Sequence, residues 1–139
     1  MKDEDYIIDL CDEVIGHRSQ RQHRFPFLRG DGNPGTRLPV DAYYPMLDLV
    51  IEYRERQHGE AVPLWDKKPT KSGIPRGEQR ARYDQRRREI LSQNGIALVE
   101  LSYADFDHDG SKRLRRDQQT DKEVLRRKLS SWIKTNAAG

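Results

Sequence analysis

The sequence has one cysteine, Cys11. With no second thiol, an internal disulfide framework and a multi-cysteine zinc site are both excluded. A lone cysteine among apolar helix positions reads as a small core residue. Long hydrophobic runs are also missing: none approaches the roughly 18–20 residues that span a bilayer. The opening MKDEDYIIDL is acidic and lacks the pattern of a secretory signal, so the expectation is a cytoplasmic protein with no membrane partner. Apolar residues are scarce, at 34% against 35% charged. The core must therefore be lean, a thin sheet with polar edges, which leaves room for a homodimer or a partner protein to cover part of it. There is no internal repeat, glycine-rich phosphate loop, nucleophile elbow or Walker pattern, so a nucleotide- or sugar-processing enzyme lacks support.

What is present is charge, and it is unevenly placed. The chain of 139 residues carries a formal net charge of +3, and its length suits one domain. Between Arg76 and Ser92, Arg76, Arg80, Arg82, Arg86, Arg87 and Arg88 face only Glu78, Asp84 and Glu89. This stretch alone carries an excess equal to that of the whole chain. A local basic stripe is the footprint expected for phosphate binding; the alternative is a solvated helix face laced with ion pairs.

The periodicity predicts a mixed α/β fold in the order helix, three strands, helix, strand, helix. Residues 4–15 place Ile7, Ile8, Leu10, Cys11, Val14 and Ile15 on one helical face, and Gly16 supplies a stop. Residues 17–23 read as a polar, basic connection. Residues 24–28 form a short strand confined to an edge by Pro26, and 29–36 a loop. Residues 38–44 and 47–54 are two strands joined near Pro45, the second rich in strand-forming residues. The proline-bearing stretch 59–75 is a long loop of the kind that is usually functional. A helix over 76–94 ends at Asn94-Gly95, and 96–101 is a buried strand. Residues 105–119 are charged and irregular, and Thr120 with Glu123 forms a capping box for a final helix over 120–135. The Asp105, Asp107, Asp109, Gly110 run imitates a calcium loop, but its twelfth position is Arg116, where a glutamate is required. His17 and His23 lack metal-ligand spacing.

Strand pairing supplies the sharpest inference. If 38–44 and 47–54 form a hairpin closed by residues 45–48, Asp41 falls opposite Glu52. Directly opposed residues share a face, with Cβ atoms about 4.5–5.5 Å apart. Two carboxylates that close repel each other unless a cation lies between them, and an oxygen-only pair suits Mg²⁺ or Mn²⁺. Arg54, two residues on, shares the face of Glu52. A one-residue slip in register would separate the pair.

The run LPVDAYYPMLDLVIEYRERQH over 38–58 resembles the catalytic hairpin of the PD-(D/E)xK, restriction-endonuclease-like nucleases. Asp41 matches the first aspartate of that motif and Glu52-Tyr53-Arg54 its acidic-x-lysine element, with arginine in place of lysine. Arginine keeps its proton, so it can orient water or phosphate but cannot act as a base. The similarity is closer to the very-short-patch repair endonucleases and their homing-endonuclease relatives, which carry a Glu-Asp-x-His-Asp set. By position these correspond to Glu13, Asp41, His58 and Asp84, and RYDQRRREILSQNGIALVEL over 82–101 resembles the helix and strand that close that core. The similarity covers roughly residues 8–101.

The resemblance implies a restriction-endonuclease-like core and a Mg²⁺- or Mn²⁺-dependent endonuclease acting on nucleic acid, DNA in particular, leaving a 5′-phosphate and a 3′-hydroxyl. Asp41 and Glu52 would hold the ion. His58 would accept a proton from the attacking water, and Arg54 would stabilise charge on phosphate. Glu13 and Asp84 would orient from behind. Arg80, Arg86, Arg87 and Arg88, with Lys67 and Lys68, would track the backbone, and Trp65 would stack on bases or anchor its loop in the core. The competing reading is a non-catalytic nucleic-acid-binding or assembly subunit that keeps the fold; the arginine at position 54 and the lean core leave it open.

Overall fold

The computed structural model describes residues 1–55 and 73–133, so His58, Trp65, Lys67 and Lys68 lie outside the described residues. A four-stranded mixed sheet is flanked by helices on both faces. The order is α1 (Asp3–Ile15), β1 (Gln20–Gly32), β2 (Gly35–Tyr44), β3 (Leu49–Arg54), α2 (Arg76–Gln93), β4 (Ala97–Ser102) and α3 (Gln118–Lys128). The strands lie in chain order across the sheet, β1 to β3 antiparallel and β4 parallel to β3. Antiparallel neighbours need only tight turns, here a 3-10 turn at Pro45–Leu47 between β2 and β3. The parallel step to β4 needs a crossover, which contains α2. Among the described residues no helix is long and apolar enough to cross a membrane.

The lean composition is met by two small clusters, one on each face of the sheet. On one face α1 and α3 pack Ile7, Ile8, Leu10, Cys11, Ile15, Leu125 and Leu129 against Ala42, Tyr44, Leu49, Ile51, Tyr53 and Leu101. On the other, Leu91 of α2 meets Phe25, Leu28, Leu38, Val40, Val50 and Ile96. The start of α1 is acidic, which suits the positive end of a helix dipole, and Gly16 ends it in the left-handed conformation at φ 83°.

Two sequence expectations are corrected. The stretches 17–23 and 29–36 are not free connections: strand β1 runs thirteen residues at the edge of the sheet, and the turn to β2 occupies only Asn33 and Pro34. This hairpin is stapled to α2. Arg86 donates to the Arg29 carbonyl and pairs with Asp31, Arg82 reaches the same carboxylate, and Tyr83 Oη accepts the Asp31 N–H. The last helix is capped by Asp117, whose carboxylate accepts the Thr120 N–H at 3.2 Å, and not by a Thr120–Glu123 box. The aspartate three residues upstream lets the helix begin a turn earlier.

Candidate functional site

The pairing of β2 with β3 has the register expected from the sequence. Tyr44 faces Leu49, Tyr43 faces Val50 and Ala42 faces Ile51. The next step would oppose Asp41 and Glu52, but backbone pairing stops there and the two carboxylates replace it. Glu52 Oε2 accepts the Asp41 N–H at 2.7 Å, and Asp41 Oδ2 accepts the Tyr53 N–H at 2.8 Å. Each side chain satisfies a main-chain donor on the opposite strand where the strands part.

The cause is a change of face. Residues two apart on a regular strand share a face, yet Ala42 belongs to the α1–α3 cluster and Val40 to the α2 cluster. On β1, Arg21 reaches the α1 carboxylates of Asp9 and Asp12, whereas His23 packs on Phe25 and Tyr43. The hairpin turns over between these pairs. Its pivots are Asp41 and Gln22, and Gln22 has φ 51°. The Gln22 side-chain amide lies 3.5 Å from Asp41 Oδ1 and 3.4 Å from Glu4 Oε2. Glu4, on the first turn of α1, is thereby drawn to the pivot.

The electrostatics follow from three carboxyls gathered at one fork. Burial, then the nearby charge of Asp41, raises the proton affinity of Glu52; the Arg54 and Arg87 guanidiniums and the Asp41 N–H oppose it. Burial first, then Asp41, Asp5 and Glu55, pushes Glu4 up to about 7, with Lys2 opposing. Burial is the larger cause in both, and the negative charge of Asp41 adds to it.

Arg54 and Asp84 are brought together, with a contact of 2.7 Å, inside a network of three carboxylates and three guanidiniums. Arg54 also reaches Glu100 at 2.8 Å and Glu52 at 3.5 Å. Arg87 joins Asp84 to Glu52, at 3.2 and 3.4 Å, and Arg88 pairs with Glu100 at 2.9 Å. Arg86 is taken by Asp31, and Arg80 is half-buried on the same helix. The positive stripe of α2 is therefore largely turned inward on the protein's own acids: its Arg86, Arg87 and Arg88 have partners before any phosphate arrives. Glu13, the expected helix glutamate, is exposed and pairs with Lys122 of α3 at 3.6 Å, away from the fork. The glutamate that α1 does bring to Asp41 is Glu4. Periodicity could not single it out, because it lies in the polar first turn; only the reach from α1 through Gln22 reveals it.

Among the described residues no group of three or more His, Cys, Asp or Glu is spaced to hold a metal. Mg²⁺ does not require one, since it usually binds through one or two carboxylates and keeps several waters. The donors at the fork fit such an ion in kind: they are hard oxygens, crowded together. No family model, curated protein or solved structure matches this chain.

Proposed function

We propose that this protein is a metal-dependent phosphodiester hydrolase acting on nucleic acid, DNA by preference, with a restriction-endonuclease-like core. The observation that carries this reading is the replacement of the β2–β3 ladder at its fork by the carboxylates of Asp41 and Glu52. A stable fold has no need to crowd two acids there; an uncharged acceptor would satisfy the same N–H groups without the like-charge repulsion. Functional sites are where such unfavourable arrangements persist.

A bound Mg²⁺ or Mn²⁺ supplies positive charge for a non-bridging phosphate oxygen and makes water a better nucleophile at neutral pH. Asp41 and Glu52 would hold that ion, and Glu4 lies near Asp41 through the shared Gln22 amide. Backbone N–H groups fix one oxygen of each of Asp41 and Glu52, which sets their orientation before binding. Arg54 and Arg87 flank Glu52 and keep its charge from being prohibitive; Arg54 is a positioning residue, held in turn by Asp84 and Glu100. His58 is the proton acceptor in this reading, and cleavage leaves a 5′-phosphate and a 3′-hydroxyl. The test is incubation of purified protein with plasmid, single-stranded DNA and RNA in Mg²⁺, Mn²⁺ or EDTA. Metal-dependent cleavage that Asp41→Asn abolishes supports it; absence of cleavage of any of the three in either metal overturns it.

One observation favours a second reading, a nucleic-acid-binding subunit without catalysis. The oxygens of Glu52 already face partners, Oε2 the Asp41 N–H and Oε1 the Arg54 and Arg87 guanidiniums. A binding module would need nothing more. Calorimetric titration with Mn²⁺ separates the two: heat of binding that disappears in Asp41→Asn belongs to the hydrolase.

A further inference from the structure

We propose that the β1–β2 hairpin, rather than helix α2, is the surface that engages nucleic acid, and that it stacks an unpaired base on Phe27. This rests on the reading of the protein as acting on nucleic acid and names the form of strand it takes. Two independent observations carry it.

The first is where uncompensated positive charge lies. On α2, Arg86, Arg87 and Arg88 are each matched by Asp31, Asp84, Glu52 or Glu100. On the hairpin, Arg24, Arg29 and Arg37 reach no carboxylate among the described residues. Arg24 donates to the Arg37 carbonyl, and Arg29 donates to the carbonyls of Pro26 and Gly35 at 2.9 and 2.8 Å. Carbonyl oxygens hold a guanidinium in place without cancelling its charge, so Arg24 and Arg29 are fixed and still cationic, and the exposed Arg37 adds a third positive charge beside them. Fixed, unneutralised cations are what a polyanion rewards, since each phosphate they meet releases counterions.

The second is a row of rings that runs out to solvent. His23 and Tyr43 pack on Phe25, at 4.5 and 4.6 Å, and Phe25 stacks on Phe27 at 4.9 Å with only 22° between the planes. Phe25 is buried, but Phe27 is 41% exposed. Stacking on Phe25 covers part of the Phe27 ring and leaves the rest open to solvent. The Arg29 side chain bonds the carbonyl of Pro26, beside it in the chain. An aromatic face flanked by cations is the platform on which single-stranded nucleic acid stacks. Phe27 lies five residues along β1 from Gln22, which touches Asp41. That is about 16 Å at the usual rise per residue, or roughly five base steps along one strand. A strand resting on Phe27 would therefore meet the fork about five nucleotides away.

The test is fluorescence anisotropy of a labelled single-stranded oligonucleotide, and of the same sequence as a duplex, in EDTA with full-length protein. EDTA removes metal chemistry, so binding is read whether or not the protein cleaves. Phe27→Ala should weaken single-strand binding on the order of 10-fold and duplex binding much less, while Phe27→Trp should retain it. Arg24→Gln with Arg37→Gln should flatten the dependence of log affinity on log salt by about 1.4, or ~0.7 for each lost contact to a single strand. Arg88→Gln, on the face of α2 that pairs with Glu100, should leave that slope in place. Wild-type protein that does not bind the single strand, or Phe27→Ala that binds it undiminished, overturns the proposal. So does Phe27→Ala that changes the mass in solution by light scattering, because a second copy would then be what covers the ring. Failure of cleavage in Mn²⁺ with single-strand binding intact would sink the hydrolase and leave this surface standing.

Discussion

Asp41 governs the site at the scale of a single residue. Its charge raises both Glu4 and Glu52, and its Oδ2 accepts the Tyr53 N–H. Asparagine keeps an oxygen for that N–H and removes the charge. Asp41→Asn should therefore melt in EDTA at the wild-type temperature or above it, and should lose the rise in Tm that Mn²⁺ gives the wild type. A ligand that binds only the folded state stabilises by about 2.7 kcal/mol at a hundredfold excess over its Kd, which is large enough to read by scanning calorimetry. Loss of stability in EDTA would instead make Asp41 a structural acid. His58 carries a separate expectation: His58→Ala should bind Mn²⁺ as the wild type does and cleave roughly 10²–10⁴-fold more slowly. The pairing of Asp41 with Glu52 was legible because register follows from turn length alone. Glu4 was not, because helical spacing ranks residues by the apolar face they share, and Glu4 is off that face. The contacts of Arg54 with Asp84 and Glu100, and of Arg87 with Glu52, were not legible either, since they join residues 30 or more apart in the chain.

At the scale of elements, most of the order could be read and several boundaries could not. Helix α1 and strand β3 announce themselves through Ile7, Ile8, Leu10 and Cys11 at helical spacing and through LVIEY. The flanks of the β1–β2 hairpin, 17–23 and 29–36, look like loop because the first is polar and the second is rich in glycine and proline. What makes it strand is tertiary: Arg82, Tyr83 and Arg86 of α2 hold its far end. The same closeness explains two glycines. A Cβ at Gly35 would lie 1.9 Å from the Gly30 carbonyl oxygen, and one at Gly30 would lie 2.8 Å from Tyr83 Oη. The first clash is with backbone and has no escape, whereas the second is with the end of a side chain that can turn aside. Gly35→Ala should therefore destabilise more than Gly30→Ala, by about 1–3 kcal/mol or above for an overpacked site. Urea unfolding of both variants checks the order; equal losses would mean that the hairpin end is looser than it looks.

At the scale of the whole molecule, α1 closes against the segment from Leu114 to Asp121, and one buried acid sits in that closure. Asp3 accepts the Leu114 N–H and pairs with Arg116, each at 3.0 Å, and Tyr6 of α1 donates to Asp121 Oδ2 of α3 at 2.5 Å. Asp121 is fully buried, and its Oδ1 has no hydrogen-bond partner among the described residues. Burial raises its proton affinity above the ordinary carboxylate range; the Tyr6 hydroxyl opposes this, and Asp117 and Asp107 add to it. The folded state thus holds this proton more tightly than the unfolded chain, where the pKa is about 3.9. The sign follows: the stability tied to Asp121 is complete below that value and is lost as pH rises through the folded pKa. Glu4 and Glu52 titrate in the same direction, so the contribution must be isolated by difference. Asp121→Asn cannot ionise, and its stability relative to wild type should improve as pH rises from about 4. Tyr6→Phe removes the donor that favours the charged form. It should cost about 1–3 kcal/mol where Asp121 is ionised, with the loss narrowing in acid. Chemical denaturation of the three proteins across that pH range decides it: a difference between Asp121→Asn and wild type that does not change with pH would mean that Asp121 does not titrate in the folded protein.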